Sequence, residues 1–566
     1  MALRTVPFGG YEGFSDSPIP GTHFYSQGFV PSMYGAATQY SMISGQSSAG
    51  IGGLGSVQHM AILNGILYVQ DDSGQIWKET TRGAFNFTRV RNPGGTGAGL
   101  MADQYGNLFY ACGTTNNQLG KYDGTLNVWN DTFQTLQDGQ HPMTWYEDLI
   151  LVADNFNVDC LFSDGSWSNT AFNLPSEMAI TAIKAGKTGI LIGANLAGQG
   201  KIILWDGNAL RSKTPWISVD GQILAIDTYG DNWIVKTTRA VHITNGYTIS
   251  EMFGVFDDPL SFNNYDSIEV LPQQMALVNG ILLFCITSTT GNLAQYGKMK
   301  PGLYMYFISR HAWTYIPVPS RETLSLFMNA LLVDTTNDRI AVAYSSGGVN
   351  YVAKLVAQPP AQALLVSEML GAGRIKYQRI YFGPTDKTVE AVILNLGILN
   401  SSTQATAISF SASLKIYNFK RQLWGHAVTS GNASAGNQLI IDATIAGTYD
   451  AHVGDEVTVL EGNNAGQIGH ITAITNDGLS NETWTLDASF SNNTLEGVNV
   501  QVQPFTLVKR QTFTNLSELK NIFFSVNSIK GKQFLIKIVL DGITAGLALE
   551  LLTSYWIMND LGTTQT

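Results

Sequence analysis

Asn64-Gly65-Ile66-Leu67-Tyr68-Val69-Gln70, leading into Asp72-Ser73-Gly74-Gln75-Ile76-Trp77, decides the fold because the phrase comes back. Turn residues open it, a short apolar strand follows, and a second strand ends near an aromatic. Copies stand at 106–112 with 120–124, at 147–153 with 160–167, at 189–193 with 202–207, and at 230–235 with 240–244. Two more, at 279–285 with 302–308 and at 338–344 with 349–353, come after longer intervals. The first five starts are residues 65, 106, 147, 189 and 230, a step of about 41 residues, the period of propeller blades built from four short strands. One small sheet cannot bury both its faces, whereas a ring of blades packs face against face and leaves few open edges. The expectation is an all-β chain: a six- or seven-bladed β-propeller over 59–365, followed by a β-sandwich carrying an inserted small β-barrel.

Outside that period the text changes. Residues 1–58 carry Pro7, Pro18, Pro20 and Pro31 with scattered aromatics such as Phe8, Phe14 and Tyr25, and read as an extended N-terminal arm. Such an arm docks on a neighbouring subunit or wraps its own propeller. After about residue 370, alternating strands such as 375–382, 388–394 and 407–417 suit half-buried sheets, and similar strands return at 521–525 and 533–539. They predict one discontinuous sandwich, 366–431 and 506–566, interrupted by residues 432–505. In the insertion, Gly454–Gly462, Asn463–Gly469, His470–Ile474 and Thr483–Asp487 supply the strands of a five-stranded barrel, with Gly466 and Gly469 bracketing a tight connection.

Composition narrows the functions. The 566 residues are 44% hydrophobic and 11% aromatic, enough for several cores, but only 13% are charged, about half the usual quarter. Interface cores are poor in charge, so this composition leans towards assembly. With 32 basic and 43 acidic residues the net charge is −11. Basic neighbours occur only as pairs, Lys420-Arg421 and Lys509-Arg510, which argues against sequence-specific nucleic-acid binding. An acidic balance does suit a channel along which DNA slides without sticking. Cys112, Cys160 and Cys285 sit singly in apolar strands and read as buried free thiols, which suggest folding in a reducing cytoplasm. The start of the chain lacks the apolar core of a signal peptide. The apolar stretch 542–558 contains Glu550 and is too short to span a bilayer, so no membrane insertion is expected.

The phrase Asn464-Ala465-Gly466-Gln467-Ile468-Gly469-His470-Ile471-Thr472-Ala473-Ile474, with the later Thr483-Trp484-Thr485-Leu486-Asp487, resembles a small β module of tailed-bacteriophage virion proteins. It also resembles the KOW-type barrel of ribosome-associated proteins. Asp455, Glu456, Glu461, Asp477 and Glu482 give the stretch an acidic balance, against an RNA-binding role. Taken in order, arm, propeller and sandwich with inserted barrel are similar to the propeller-bearing tail nozzle or tail-tube proteins of short-tailed phages. The resemblance is textual over about 35 residues and architectural elsewhere. It implies a virion location and a homo-oligomeric ring, in such families commonly a hexamer, around a DNA exit channel. The implied partners are other tail or portal-adaptor proteins, with passive contact to translocating DNA.

No catalytic, cofactor-binding or metal site is assigned. His23, His59, His141, His242, His311, His426, His452 and His470 show no zinc spacing, and a Gly-x-Ser-x-Gly elbow is absent. Gly186-Lys187-Thr188 follows Thr181 where a phosphate loop needs glycine. Asp154, Asp159 and Asp164, with Asn155 and Asn157, lack the loop pattern of a calcium site. Asp72–Trp77 and Ser163–Trp167 resemble the structural turn motif of sialidase-type propellers. Three roles are therefore weighed. The first is a structural subunit of a phage tail with no enzymatic activity. The second is a virion receptor-binding protein whose exposed aromatics stack on host glycans. The third is a propeller glycosidase using carboxylates that meet only in three dimensions.

Overall fold

The computed structural model describes residues 53–254 apart from 115 and 209–214, residues 273–287, parts of 302–356, and elsewhere the strands with short turns beside them. Residues 463–467, Glu461, Asp477, His311, Pro18, Pro20 and the Lys420-Arg421 pair lie outside the described residues.

The repeat forms seven blades of four antiparallel strands, the sheet of blade 6 being extended by Gly13–Phe14 and Thr22–His23. Blades 1 to 6 occupy 57–91, 96–135, 143–173, 179–219, 223–254 and 275–316. Blade 7 occupies 326–356 and takes its fourth strand from Ser41–Ser47, near the start of the chain. The first strand of each blade touches the first strand of the next, and Leu326–Asp334 of blade 7 touches Val57–Leu63 of blade 1, closing the ring.

The quoted phrase is the two middle strands of a blade, and packing explains its composition. Asn107–Gly113 is buried from Leu108 onward because both its faces meet neighbouring blades. The outermost strand of the same blade, Val128–Thr135, alternates between exposed and half-buried. Asn64 and Gly65 both take positive φ, 52° and 75°, as the hairpin turn between the first two strands of blade 1 requires. Between blades the sealing is apolar: Ala61, Leu63 and Tyr68 of blade 1 share a cluster with Leu100, Leu108 and Tyr110 of blade 2. Each such large side chain, once buried, contributes about 1.5–3 kcal/mol.

Among the described residues, 3–47 contribute seven strands that pair within the chain. Leu3–Phe8 pairs with Ser554–Asp560, joining a sheet with Lys387–Leu394 and Ile522–Gly531. Phe14 pairs with Trp313 on the outer strand of blade 6. Tyr25–Gln27 edges the sheet containing Arg374–Lys376, Gln533–Asp541, Phe410–Asn418 and Phe505–Phe513. Phe29–Pro31 and Ala37–Gln39 extend Leu547–Leu551 and Leu396–Ser401. Ser41–Ser47 then closes blade 7, with Ser47 opposite Tyr351 and Ser41 opposite Val356. The leading segment therefore stitches the sandwich sheets to the propeller.

The inserted barrel closes with six strands rather than five. Its first, Gly425–Gly431, lies in the stretch expected to belong to the sandwich, and its last is Asn499–Gln503. Leu439, Ile441, Val457, Ile471, Trp484 and Val500 fill it. Gly469 is small because a Cβ there would stand 3.0 Å from Leu486. The barrel's polar outer text leaves Trp484 fully inside, its Nε1 donating to Glu482 Oε1 at 2.9 Å.

Candidate functional site

The described cavity lies where the innermost strands of blades 7, 1 and 2 begin, beside the loop that enters blade 3. It is a funnel of about 670 Å³. Ser56, Thr96 and Thr114 bring hydroxyls, Gln140, Asn329 and Asn350 bring amides, and Asp72 and Asp138 bring carboxylates. Among the described residues of the lining, Phe327, 38% exposed, is the aromatic and none is Lys, Arg or His.

Its walls are set by hydrogen bonds between blades. Asn329 Nδ2 of blade 7 donates to Ser56 Oγ at the start of blade 1 (2.6 Å) and to Ser345 Oγ (2.9 Å). Ser345 Oγ donates to Asn350 Oδ1 at 2.7 Å, and Asn350 Nδ2 reaches Leu54 O. Asp72 Oδ1 accepts from Ser56 N at 3.1 Å, and Asp138 Oδ1 from Thr114 N at 2.8 Å. Burial, and next the neighbouring Asp71 carboxylate, raise the Asp72 pKa above the usual carboxylate range.

Below the funnel the axis is crossed by side chains. Gln140 Nε2 lies 3.4 Å from Gly97 O, which orients its amide so that Oε1 accepts from His59 Nε2 at 3.2 Å. Further along the same strands, Gln273, entering blade 6, accepts from Met60 N of blade 1 (2.6 Å) and donates to Met60 O (3.0 Å) and to Leu100 O of blade 2 (3.5 Å). Lys236 of blade 5 donates to Gln274 Oε1 (3.1 Å) and Cys285 O (2.7 Å), and Gln274 Nε2 donates to Met328 O of blade 7 (2.9 Å). Burial lowers His59 to about 4 and Lys236 to about 8, since neither can stay charged cheaply away from water.

The inner strands tolerate this crowding by being small. In Thr96–Ala102 a Cβ on Gly97 would sit 2.2 Å from Asp71 O, and one on Gly99 2.4 Å from His141 O. The joint between blades 7 and 1 adds ion pairs to an apolar cluster of Val57, Met60, Leu67, Ala341 and Val352: Arg339 pairs with Asp334 at 2.7 Å and with Glu79 at 2.9 Å, both carboxylates buried.

The residues weighed from the sequence are dispersed. In the first turn motif Asp71, not Asp72, organises the hairpin: its Oδ1 accepts from Ser73 N and Gln75 N, and its Oδ2 from Gly55 N and Trp77 Nε1. In the second, Asp164 Oδ1 takes Ser166 N and Oγ. Asp154 accepts from Gln137 N and Asp159 from Thr170 N, on different strands; burial raises Asp159 to about 6. Lys187 pairs with Asp231 in solvent at 3.1 Å. His470 Nδ1 meets Asp487 at 2.8 Å in the barrel. The three cysteines are free and buried. No group of three or more His, Cys, Asp or Glu able to hold a metal occurs among the described residues. The funnel was not legible in advance: Ser56, Gly97 and Asp138 stand at equivalent places in the blade period but carry different side chains, so no repeated residue type marks them.

No family model matches the chain, and no curated protein matches it. Solved structures do. A streptogramin B lyase is 11% identical with TM-score 0.41, covering 56% of this chain and 97% of that one. A chain of a mitotic checkpoint complex is 10% identical with TM-score 0.38, covering 54% and 89%. The computationally designed Ika8 protein is 11% identical with TM-score 0.35, covering 52% and 82%.

Proposed function

We propose that this chain is a structural subunit of a tailed-bacteriophage virion, acting as one copy of a ring in the tail around the DNA exit channel, and not as an enzyme. The observation that carries the reading is the path of residues 3–47, which pair in turn with the sandwich sheets, blade 6, the sandwich again and blade 7. A pull on either half is then resisted by strand ladders rather than by a linker, which is what a tail component needs during ejection. The text of residues 464–474 and 483–487, which resembles a phage virion module, supports the virion reading. Since Gln273 crosses the propeller axis, DNA would pass between copies rather than through one propeller. The net charge of −11 suits a wall that DNA slides along.

The test is mass photometry and negative-stain microscopy of the recombinant chain, alone and with its neighbouring tail proteins. A closed ring with a central opening is expected. A monomer that stays monodisperse with every neighbour added would sink the proposal.

A further inference from the structure

We infer that the funnel at the mouth of the propeller axis is a binding site for a neutral saccharide. The inference is independent of the assembly reading and rests on the lining. Its polar groups are hydroxyls and amides, able both to donate and to accept, which matches the vicinal hydroxyls of a sugar. Asp72 and Asp138 add carboxylate oxygens, which make stronger hydrogen bonds to hydroxyl donors than neutral acceptors do. Phe327 offers a half-exposed ring against which the C–H face of a pyranose packs.

Charge selects the class. With two carboxylates and no Lys, Arg or His among the described residues of the lining, a sialate, uronate or sulfated sugar meets repulsion there. A volume of about 670 Å³ is within the range of small-molecule sites and holds a short saccharide rather than a polymer in cross-section. The site is also stiff. Asn329, Ser345 and Asn350 are tied to Ser56 and Leu54 across the joint of blades 7 and 1, and Gln140 to His59 and Gly97. Little ordering remains to be done on binding, which favours affinity.

The test is an array of neutral and anionic glycans probed with the full chain, followed by calorimetry on the best neutral hit and its sialylated counterpart. Phe327→Ala and Asp138→Asn are the variants, since an asparagine at 138 still accepts from Thr114 N and so spares the fold. The expected result is binding of neutral glycans only, with each variant weakening the hit by about tenfold or more. Unfolding midpoints of both variants, matched to the parent, show that the loss is local. Three results would each overturn the inference: no neutral glycan bound, anionic glycans preferred, or affinity unchanged in both variants.

Discussion

His59 makes a defined prediction about acid. It is buried on the inner strand of blade 1 as a neutral donor to Gln140, with its pKa lowered to about 4 from an ordinary 6.5. A base whose pKa is depressed by folding takes up its proton first in the unfolded chain, so stability falls as pH drops from 6.5 towards 4. Worked from those two values, the loss is about 1 kcal/mol at pH 6, about 2 at pH 5 and about 3 at pH 4. The parent curve alone will not display it, because Asp159, raised to about 6, contributes in the opposite sense over the same range. The comparison is therefore with His59→Gln, whose amide can still donate to Gln140 Oε1 and carries no titrating proton. Urea unfolding of both proteins by tryptophan fluorescence, at pH 8, 6, 5 and 4, gives the difference at each pH. The variant should gain about 3 kcal/mol on the parent between pH 8 and pH 4. A difference that stays constant within 1 kcal/mol over that range would refute the argument that His59 is held neutral by burial.

Arg339→Met removes the cation that pairs with buried Glu79 and Asp334, and should cost about 3–5 kcal/mol in urea unfolding; a loss under 1 would mean the blade 7–blade 1 joint does not depend on it. Gly99→Ala drives a Cβ against His141 O and should cost about 1–3 kcal/mol, read as a lowered unfolding midpoint; an unchanged midpoint would show that blades 2 and 3 can move apart freely. Lys236, held at about 8 by burial against an ordinary 10.5, lowers stability below pH 8 and stops doing so as pH rises through that interval. The parent should therefore gain about 2–3 kcal/mol relative to Lys236→Met between pH 7 and pH 10, and a flat difference would place the amine in contact with water.

The parts of the fold that could be read from the text are those whose surroundings are uniform. Middle strands such as Leu149–Asp154, apolar up to its last residue, and Ile281–Ile286, apolar throughout, are so because neighbouring blades cover both faces, and that signal repeats seven times. Inner strands were invisible for the opposite reason. Thr96–Ala102, preceded by Gly94 and Gly95, has the composition of a loop, yet its glycines are what lets the blades approach. The strands of residues 1–47 are two to seven residues long and most pair with partners hundreds of positions away, so little local pattern marks them. Asp71 and Asp72 are adjacent carboxylates of the same kind. Strand register alone decides that Asp71 holds the hairpin while Asp72 turns to the funnel. The barrel was legible as a unit but not at its edge, since Gly425–Gly431 differs little in text from a sandwich strand.

Blade 7 has a consequence for the order of events on the ribosome. Ser47 leaves the exit tunnel long before Tyr351, its partner across the ladder. At about 5–20 residues per second, some fifteen to sixty seconds pass between them. Through that interval blades 1 to 6 can form one after another, while the segment that will lock the ring has nothing to pair with. Leu3–Phe8 waits longer still, for Ser554–Asp560. The two clasps therefore close in sequence, that of blade 7 first and that of Leu3–Phe8 about 200 residues later, and a nascent chain stalled between them carries an open strand edge at Leu3–Phe8 beside a closed ring.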